Sequence, residues 1–307
     1  MPAAALPKFP TVPHAGSRGR TLRAYRFGSA DPCVHVTEIQ TQGLSPTLTM
    51  TSHTLEGPAW THVDRNGATS FGGPGADLVG RWSADPAGLN DGFRFLQPSH
   101  PAVERLQRDF GHVRIGSSGD VYKAALTATL GQRITAAEAV AQWRRLCSFL
   151  GESVTTPVGD MRTPPPPDAL ARLVPYELHH IGIEEARART IIGIARVFSR
   201  RGEHLTHPAL ALRRLVAEVP RFGPWTQALV AAEALGDPDA VPVGDFHVKN
   251  VVAYALRGVA RGTDDEMLAD LTPYAGQRGR VVMWLGLAGI AAPKFGPRRA
   301  NPDIRRL

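Results

Sequence analysis

A proline- and glycine-rich turn between two apolar helical patterns constrains the fold of this chain more than any other feature. The turn reads Val-Pro-Arg-Phe-Gly-Pro-Trp-Thr over residues 219–226. Apolar residues recur at helical spacing before it, from Pro208 to Val219, and after it, from Thr226 to Leu235. A helix that begins after a Gly-Pro step has a fixed entry geometry and unpaired N–H groups in its first turn. The stretch therefore predicts two helices joined by a short hairpin whose backbone can bind a phosphate.

An acidic residue follows the second helical pattern after a loop. The loop runs from Gly236 to Asp245, and a new apolar periodic segment starts at Phe246. Asp245 therefore stands where a helix N-cap is expected, with its carboxylate at a helix start.

Together these residues resemble the helix-hairpin-helix DNA glycosylases, and most closely the 3-methyladenine DNA glycosylase II branch. The family hairpin reads Leu/Phe-Pro-Gly-Ile/Val-Gly-x-x-Thr-Ala, and the catalytic Asp follows in the next loop, before an aromatic residue. Pro220, Gly223 and Thr226 match the hairpin. Asp245 matches the catalytic Asp, and Phe246 matches the aromatic residue after it.

The resemblance also implies how the hairpin is used, and two of its positions depart from the family. The hairpin residues expected to contact DNA are Pro220, Arg221, Phe222, Gly223 and Thr226. Arg221 replaces the first hairpin glycine, so we expect no positive φ at that position. Gln227 replaces the usual alanine. The family implies a monovalent cation on the hairpin carbonyl groups, and we expect no other cofactor and no metal site.

A second segment resembles the same family. The string Leu-Gly-Gln-Arg-Ile-Thr, residues 130–135, is similar to the family's Ile-Leu-Gly-Gln-x-x-Ser. In those enzymes the residue after the Gln is a wedge that enters the minor groove where the nucleotide is flipped. The resemblance assigns DNA contacts to Gln132, Arg133 and Ile134. Either Arg133 or Ile134 is the wedge, and the alternative is a solvated Arg at a helix end.

The positive charge that develops during base excision indicates which residue type the site needs. Breaking an N-glycosidic bond builds positive charge on the deoxyribose, and a fixed carboxylate stabilises that charge and orients the attacking water. Asp245 is the catalytic candidate, and a plain helix cap is its structural alternative.

A tryptophan indicates the subclass. Bifunctional members place a Schiff-base Lys two residues after the second hairpin glycine. Trp225 occupies that position, so the resemblance implies a monofunctional enzyme that leaves an abasic site. Trp225 is expected to line the base pocket, where an alkylated, cationic base gains about 1–2 kcal/mol by stacking. The further pocket candidates are Phe246, Trp284 and Tyr122, and core packing is the alternative for each aromatic residue.

The composition of the chain limits which kinds of partner, metal site and cellular location we expect. The chain has 307 residues, 43% hydrophobic and 21% charged, with a net charge of +7 that favours a polyanionic partner. Its two cysteines, Cys33 and Cys147, cannot supply a four-ligand zinc or iron–sulfur site, and they make a disulfide framework unexpected. We find no signal peptide, and the late apolar run at 281–292 is too short to span a bilayer. We therefore expect a cytoplasmic, nucleoid-associated monomer with no membrane contact and no nucleotide cofactor.

The pattern along the chain predicts an α+β fold. We expect a flexible leader at 1–20, a small antiparallel β-rich N-terminal domain at 21–112, a mostly α-helical helix-hairpin-helix glycosylase domain at 113–292, and a basic tail at 293–307. Strand-like pieces occur at 34–39, 47–51 and 61–63. Thr135 is expected to cap a helix from Ala136 to Leu150.

These observations predict excision of alkylated purines of the 3-methyladenine and 7-methylguanine type from duplex DNA by base flipping, in base excision repair. One alternative is a non-catalytic protein that binds DNA and senses lesions. Another is a glycosylase for bulkier or oxidised bases, suggested by Arg133 and by Leu229, which stands where the family has a pocket aromatic.

Overall fold

The computed structural model describes residues 30–37, 47–82, 84–93 and 96–293. The predicted leader at 1–20 lies outside the described residues, as does the predicted basic tail beyond residue 293.

The N-terminal part forms a four-stranded antiparallel sheet in which neighbouring strands follow one another along the chain. The strands are β1 (Val34–Val36), β2 (Leu48–Thr54), β3 (Gly57–Val63) and β4 (Thr69–Gly72). β2 and β3 are joined by a tight turn that pairs Thr54 with Gly57, whose φ of 118° favours glycine. The three predicted strand segments correspond to β1, β2 and β3, although Thr37 and Thr47 lie just outside the strands. Residues 38 and 39 lie outside the described residues, and β4 was not predicted.

Helices dominate the rest of the chain, which confirms the α+β fold class. They are α1 (Ala76–Gly80), α2 (Pro101–Phe110), α3 (Val121–Leu130), α4 (Ala136–Leu150), α5 (Pro167–Arg172), α6 (Glu185–Phe198), α7 (Pro208–Glu218), α8 (Pro224–Val230), α9 (Val248–Arg257), α10 (Asp264–Leu271) and α11 (Arg278–Leu287). A two-stranded ribbon, β5 (Ser153–Thr156) and β6 (Gly159–Arg162), follows α4. In the part of the chain that the structure describes, no helix is both long enough and apolar enough to cross a membrane.

The helices enclose two separate apolar cores. Buried residues of α3, α4, α6, α7 and α8 form the first core, and those of α2, α9, α10 and α11 form the second. α2 lies in the predicted N-terminal domain, but its buried residues Val103, Leu106 and Phe110 pack in the second core. By packing, α2 therefore belongs with the helices rather than with the sheet, while the bounds of the four predicted segments remain a prediction.

A buried polar cluster joins the segment before β1 to the first helical half. Asp31 forms an ion pair with Lys123 (Oδ2–Nζ 2.9 Å), and it accepts a hydrogen bond from the Trp143 indole (2.8 Å). The thiols of Cys33 and Cys147 lie 3.7 Å apart in the same region, and both cysteines are free and buried. Two cysteines that are far apart in sequence are thus neighbours in space, without a disulfide between them.

Candidate functional site

The hairpin, residues 219–223, forms between α7 and α8 as the sequence predicts. α8 begins at Pro224, and the preceding Gly223 has an extended backbone with φ −79° and ψ 179°. Phe222 is only 4% exposed and anchors the hairpin in the first core. α8 continues directly into a π-helical turn, Ala231–Leu235, so the helical segment ends at Leu235 as predicted. The hairpin is therefore fixed both by its turn residues and by an apolar anchor.

The backbone of Arg221 shows that one expectation was wrong. Its φ is 66°, so the turn keeps the left-handed conformation that glycine provides in the family. The buried Phe222 and a hydrogen bond from Gln132 Nε2 to the Arg221 carbonyl oxygen (3.4 Å) hold the turn in place. This conformation costs an L-residue about 1–2 kcal/mol. An exposed Arg kept in a strained conformation indicates a role for its side chain outside folding.

We expect Arg221→Gly to raise the free energy of unfolding by roughly 0.5–1 kcal/mol, because glycine adopts this φ without strain but is more flexible when unfolded. Arg213→Gly, at an exposed position in α7, is the matched control and should lose about 1 kcal/mol. Chemical denaturation of the two variants measures both changes. A destabilised Arg221→Gly would mean that the Arg side chain itself supports the hairpin.

The loop between α3 and α4 lies against the hairpin. Gln132 donates from Nε2 to Thr226 Oγ1 (2.9 Å), in addition to its bond to the Arg221 carbonyl. Arg133 is exposed and has a φ of 61°, whereas Ile134 is half-buried and packs on the first core. Thr135 caps α4 as predicted, since its Oγ1 accepts from Glu138 N (3.3 Å). Of the two wedge candidates, Arg133 is exposed and Ile134 is half-buried.

Arg187 bonds the end of α3, where the loop to α4 begins, and was not predicted as a site residue. It is 5% exposed and donates from Nη1 to the Leu130 carbonyl (3.0 Å) and to Gln142 Oε1 (2.9 Å). Burial lowers the pKa of the guanidinium, and Glu184 and Glu138 oppose that shift. The Gly-Ile-x-x-x-Arg-Ala string at residues 182–188, which leads into α6, is a sequence signal that could have found it.

The carboxylate of Asp245 has two sets of partners. Oδ1 accepts from the backbone N–H groups of His247 (2.7 Å) and Val248 (3.0 Å), so the carboxylate bonds the backbone at the start of α9, although the helix begins at Val248 and its N-cap position is His247, two residues later than predicted. Oδ2 accepts from the Trp225 indole Nε1 (2.9 Å). Both side chains are half-buried. The cap fixes one oxygen and the indole fixes the other, which holds the carboxylate plane in a single orientation.

The Trp225–Asp245 bond connects the two helical halves. Trp225 belongs to α8, which packs in the first core, and Asp245 precedes α9, which packs in the second. On the second half, Asp264 holds the loop by accepting from Gly244 N (3.1 Å) and from Lys249 Nζ (3.1 Å). The junction between the two halves therefore has a fixed carboxylate and an aromatic ring.

The other predicted pocket aromatics do not join this pair. Trp284 is 0% exposed and packs edge-on against Phe93 in the second core (centroid distance 5.7 Å). Tyr122 is 2% exposed and donates to the Pro165 carbonyl (3.0 Å) from within the first core. The structure therefore places both side chains in the cores and not beside the Trp225–Asp245 pair, and their assignment to a base pocket stays a prediction. Phe246 is 71% exposed, with its ring edge against His247.

Comparison with protein-family models gives one match to this region. Residues 126–274 match the family described as HhH-GPD superfamily base excision DNA repair protein. The matched range contains the loop after α3, the hairpin and Asp245.

Known proteins resemble the chain in sequence and in fold. A DNA-3-methyladenine glycosylase of Bacillus subtilis is 26% identical over 187 residues, which cover 59% of this chain and 61% of that protein. The structure of a 3-methyladenine DNA glycosylase from Archaeoglobus fulgidus superposes with a TM-score of 0.57 and 19% identity, covering 83% of this chain and 86% of that one. A Schizosaccharomyces pombe 3-methyladenine DNA glycosylase in complex with abasic DNA gives a TM-score of 0.51 and 16% identity, covering 66% and 98%.

Proposed function

Because the chain belongs to the HhH-GPD superfamily of base excision DNA repair proteins, we propose that it is a monofunctional DNA glycosylase that excises alkylated purines from duplex DNA. The observation that carries this proposal is the fixed Asp245 carboxylate bonded to Trp225 beside the hairpin. The relatives from Bacillus subtilis and Archaeoglobus fulgidus, named as 3-methyladenine glycosylases, support the choice of substrate.

Asp245 is the residue that stabilises the reaction's charge. As the base leaves, C1′ of the deoxyribose becomes oxocarbenium-like, and a carboxylate already held in place needs no reorganisation to meet that charge. Oδ2 accepts a single bond from Trp225 and keeps acceptor capacity for the attacking water. An alkylated purine is cationic and already a good leaving group, so charge stabilisation by one carboxylate suffices.

The absence of an amine nucleophile at the hairpin supports the monofunctional assignment. Trp225 occupies the position where a lyase of this superfamily has its Schiff-base Lys. The nearest lysine in sequence, Lys249, is engaged with Asp264 at 3.1 Å. The product is therefore an abasic site in an intact strand.

DNA contacts come from the hairpin and from the loop after α3. Arg221 and Arg133 are both exposed, and both belong to segments joined by Gln132. We assign Arg221 to the phosphate backbone and Arg133 to the wedge that fills the space of the flipped nucleotide. Binding should weaken with salt as these charges release counterions.

We expect Trp225→Phe to lower the single-turnover excision rate by about 10- to 100-fold, because it removes one hydrogen bond to a charged carboxylate and keeps an aromatic face. Duplex affinity should change little. Trp60→Phe, in strand β3 of the sheet, is the matched control and should excise at the wild-type rate. An unchanged rate for Trp225→Phe would remove the indole N–H from the mechanism.

A second candidate, a glycosylase for bulkier adducts, is favoured by one observation. Tyr122 and Trp284 are buried, so Trp225 and Phe246 are the predicted pocket aromatics that retain accessible surface. A cleft with fewer aromatic walls accommodates a larger base. Relative excision rates on 7-methylguanine and on a bulky N7-alkylguanine distinguish the two.

A duplex with a single 7-methylguanine tests the reaction type. The protein should produce an abasic site, so the strand breaks only after alkali treatment. Strand cleavage without alkali would indicate a lyase, and an intact strand after alkali would reject excision of this base.

A further inference from the structure

The family resemblance implies that the hairpin carbonyl groups bind a monovalent cation. In a tight turn, successive carbonyl oxygens lie close together, and their partial negative charges need a positive partner. A bound cation and N–H or O–H donors are two solutions to the same electrostatic problem.

In this protein, side-chain donors already bond three successive hairpin carbonyls. Gln227 Nε2 donates to the Phe222 oxygen (3.0 Å), Gln132 Nε2 to the Arg221 oxygen (3.4 Å) and Thr190 Oγ1 to the Pro220 oxygen (3.3 Å). The Thr190 hydroxyl shares its single proton between this oxygen and the Ala186 carbonyl (3.2 Å). The donors come from three different segments: α8, the loop after α3, and α6. The Gln227 contact is the shortest, and it lies at a position where the family pattern has alanine, which offers no side-chain donor.

These donors do not fit a cation at the same oxygens. An amide N–H directed at a carbonyl presents positive charge to the place that a cation would take, and the two repel each other. The amide must also present its nitrogen here, since its own oxygen at 3.0 Å from the Phe222 oxygen would be repelled.

We propose that the side-chain amide of Gln227 takes the place of a monovalent cation at the hairpin, so that this hairpin folds without one. Thr190 and Gln132 complete the set of donors. The proposal concerns the fold of the hairpin and stands whether or not the protein excises a base.

Thermal unfolding at fixed ionic strength in NaCl, KCl or N-methyl-D-glucamine chloride tests the proposal, because the last cation is too large to enter a carbonyl site. The wild-type Tm should be the same in all three salts. Gln227→Ala should melt lower in the bulky salt by about 2–4 °C, the effect of one hydrogen bond, and recover in NaCl or KCl as a cation fills the vacated site.

Two further variants make the test specific. Gln227→Glu keeps the shape but replaces the donor with a charged acceptor, so its Tm should depend on Na⁺ or K⁺ more strongly than that of Gln227→Ala. Gln97→Ala, at an exposed position outside the helices and strands, is the control and should show no dependence on the cation.

Two results would overturn the proposal. A wild-type Tm that falls in the bulky salt would show that the native hairpin holds a cation. Equal Tm values in all three salts for both Gln227 variants would show that the amide does not substitute for one. Neither result bears on base excision, which is measured separately.

Discussion

Asp245→Asn should lower the rate of base excision by about 100- to 1,000-fold, the usual effect of removing one preorganised charge-stabilising group. The amide has no negative charge to place against the oxocarbenium-like sugar. Duplex affinity should stay the same or rise, because a carboxylate near the phosphates is lost. Single-turnover excision and a binding titration with an abasic-analogue duplex measure the two quantities separately.

The fold of this variant should remain intact, although with one fewer hydrogen bond. Asn caps helices about as well as Asp, but its single oxygen cannot serve both the start of α9 and the Trp225 indole. Asp265→Asn, the same change at an exposed site in α10, is the matched control and should keep full activity. Equal excision by Asp245→Asn and wild type would reduce Asp245 to a helix cap.

Lys123→Met should lower the free energy of unfolding by about 3–5 kcal/mol, because it leaves the Asp31 carboxylate buried without its counter-ion. The two side chains are 5% and 3% exposed, and their charged atoms are 2.9 Å apart. Burial opposes the charged ammonium, yet Asp31 and the other negative groups outweigh that effect and raise the pKa of Lys123. The contribution is therefore complete below the unfolded-state pKa of about 10.4 and is lost only at more alkaline pH.

The same substitution at Lys249 provides the control for this experiment. Lys249 pairs with Asp264 at a partly exposed position, so Lys249→Met should cost less than about 1 kcal/mol. Adding Asp31→Asn to Lys123→Met should recover part of the loss, since it removes the unpaired charge. Urea denaturation of the four proteins measures these values, and equal losses for the two Lys→Met variants would contradict a buried ion pair.

Local signals were sufficient to predict the hairpin and the cap. The Gly223-Pro224 step sets the start of α8, and the Asp245 carboxylate bonds the backbone at the start of α9, because both features depend on residues close in sequence. The left-handed φ of Arg221 was not predicted, because glycine preference alone gave no sign that Gln132 and Phe222 would hold a non-glycine residue there.

Features that depend on tertiary packing could not be predicted from local sequence signals. Trp284 matches the family's pocket Trp only when one insertion is allowed, and its burial against Phe93 is set by how the segment before α2 packs on α11. The contact between Cys33 and Cys147 joins segments 114 residues apart. The donors on the hairpin carbonyls likewise come from separate elements, so no spacing rule would have found them.

Release of free bases from methylated duplex DNA tests the central claim most directly. Wild-type protein should release 3-methyladenine and 7-methylguanine, detected by chromatography, and leave abasic sites in unbroken strands. Binding of the duplex without release of either base, at protein concentrations that saturate the DNA, would contradict the proposed excision of alkylated purines and would favour a lesion-binding protein instead.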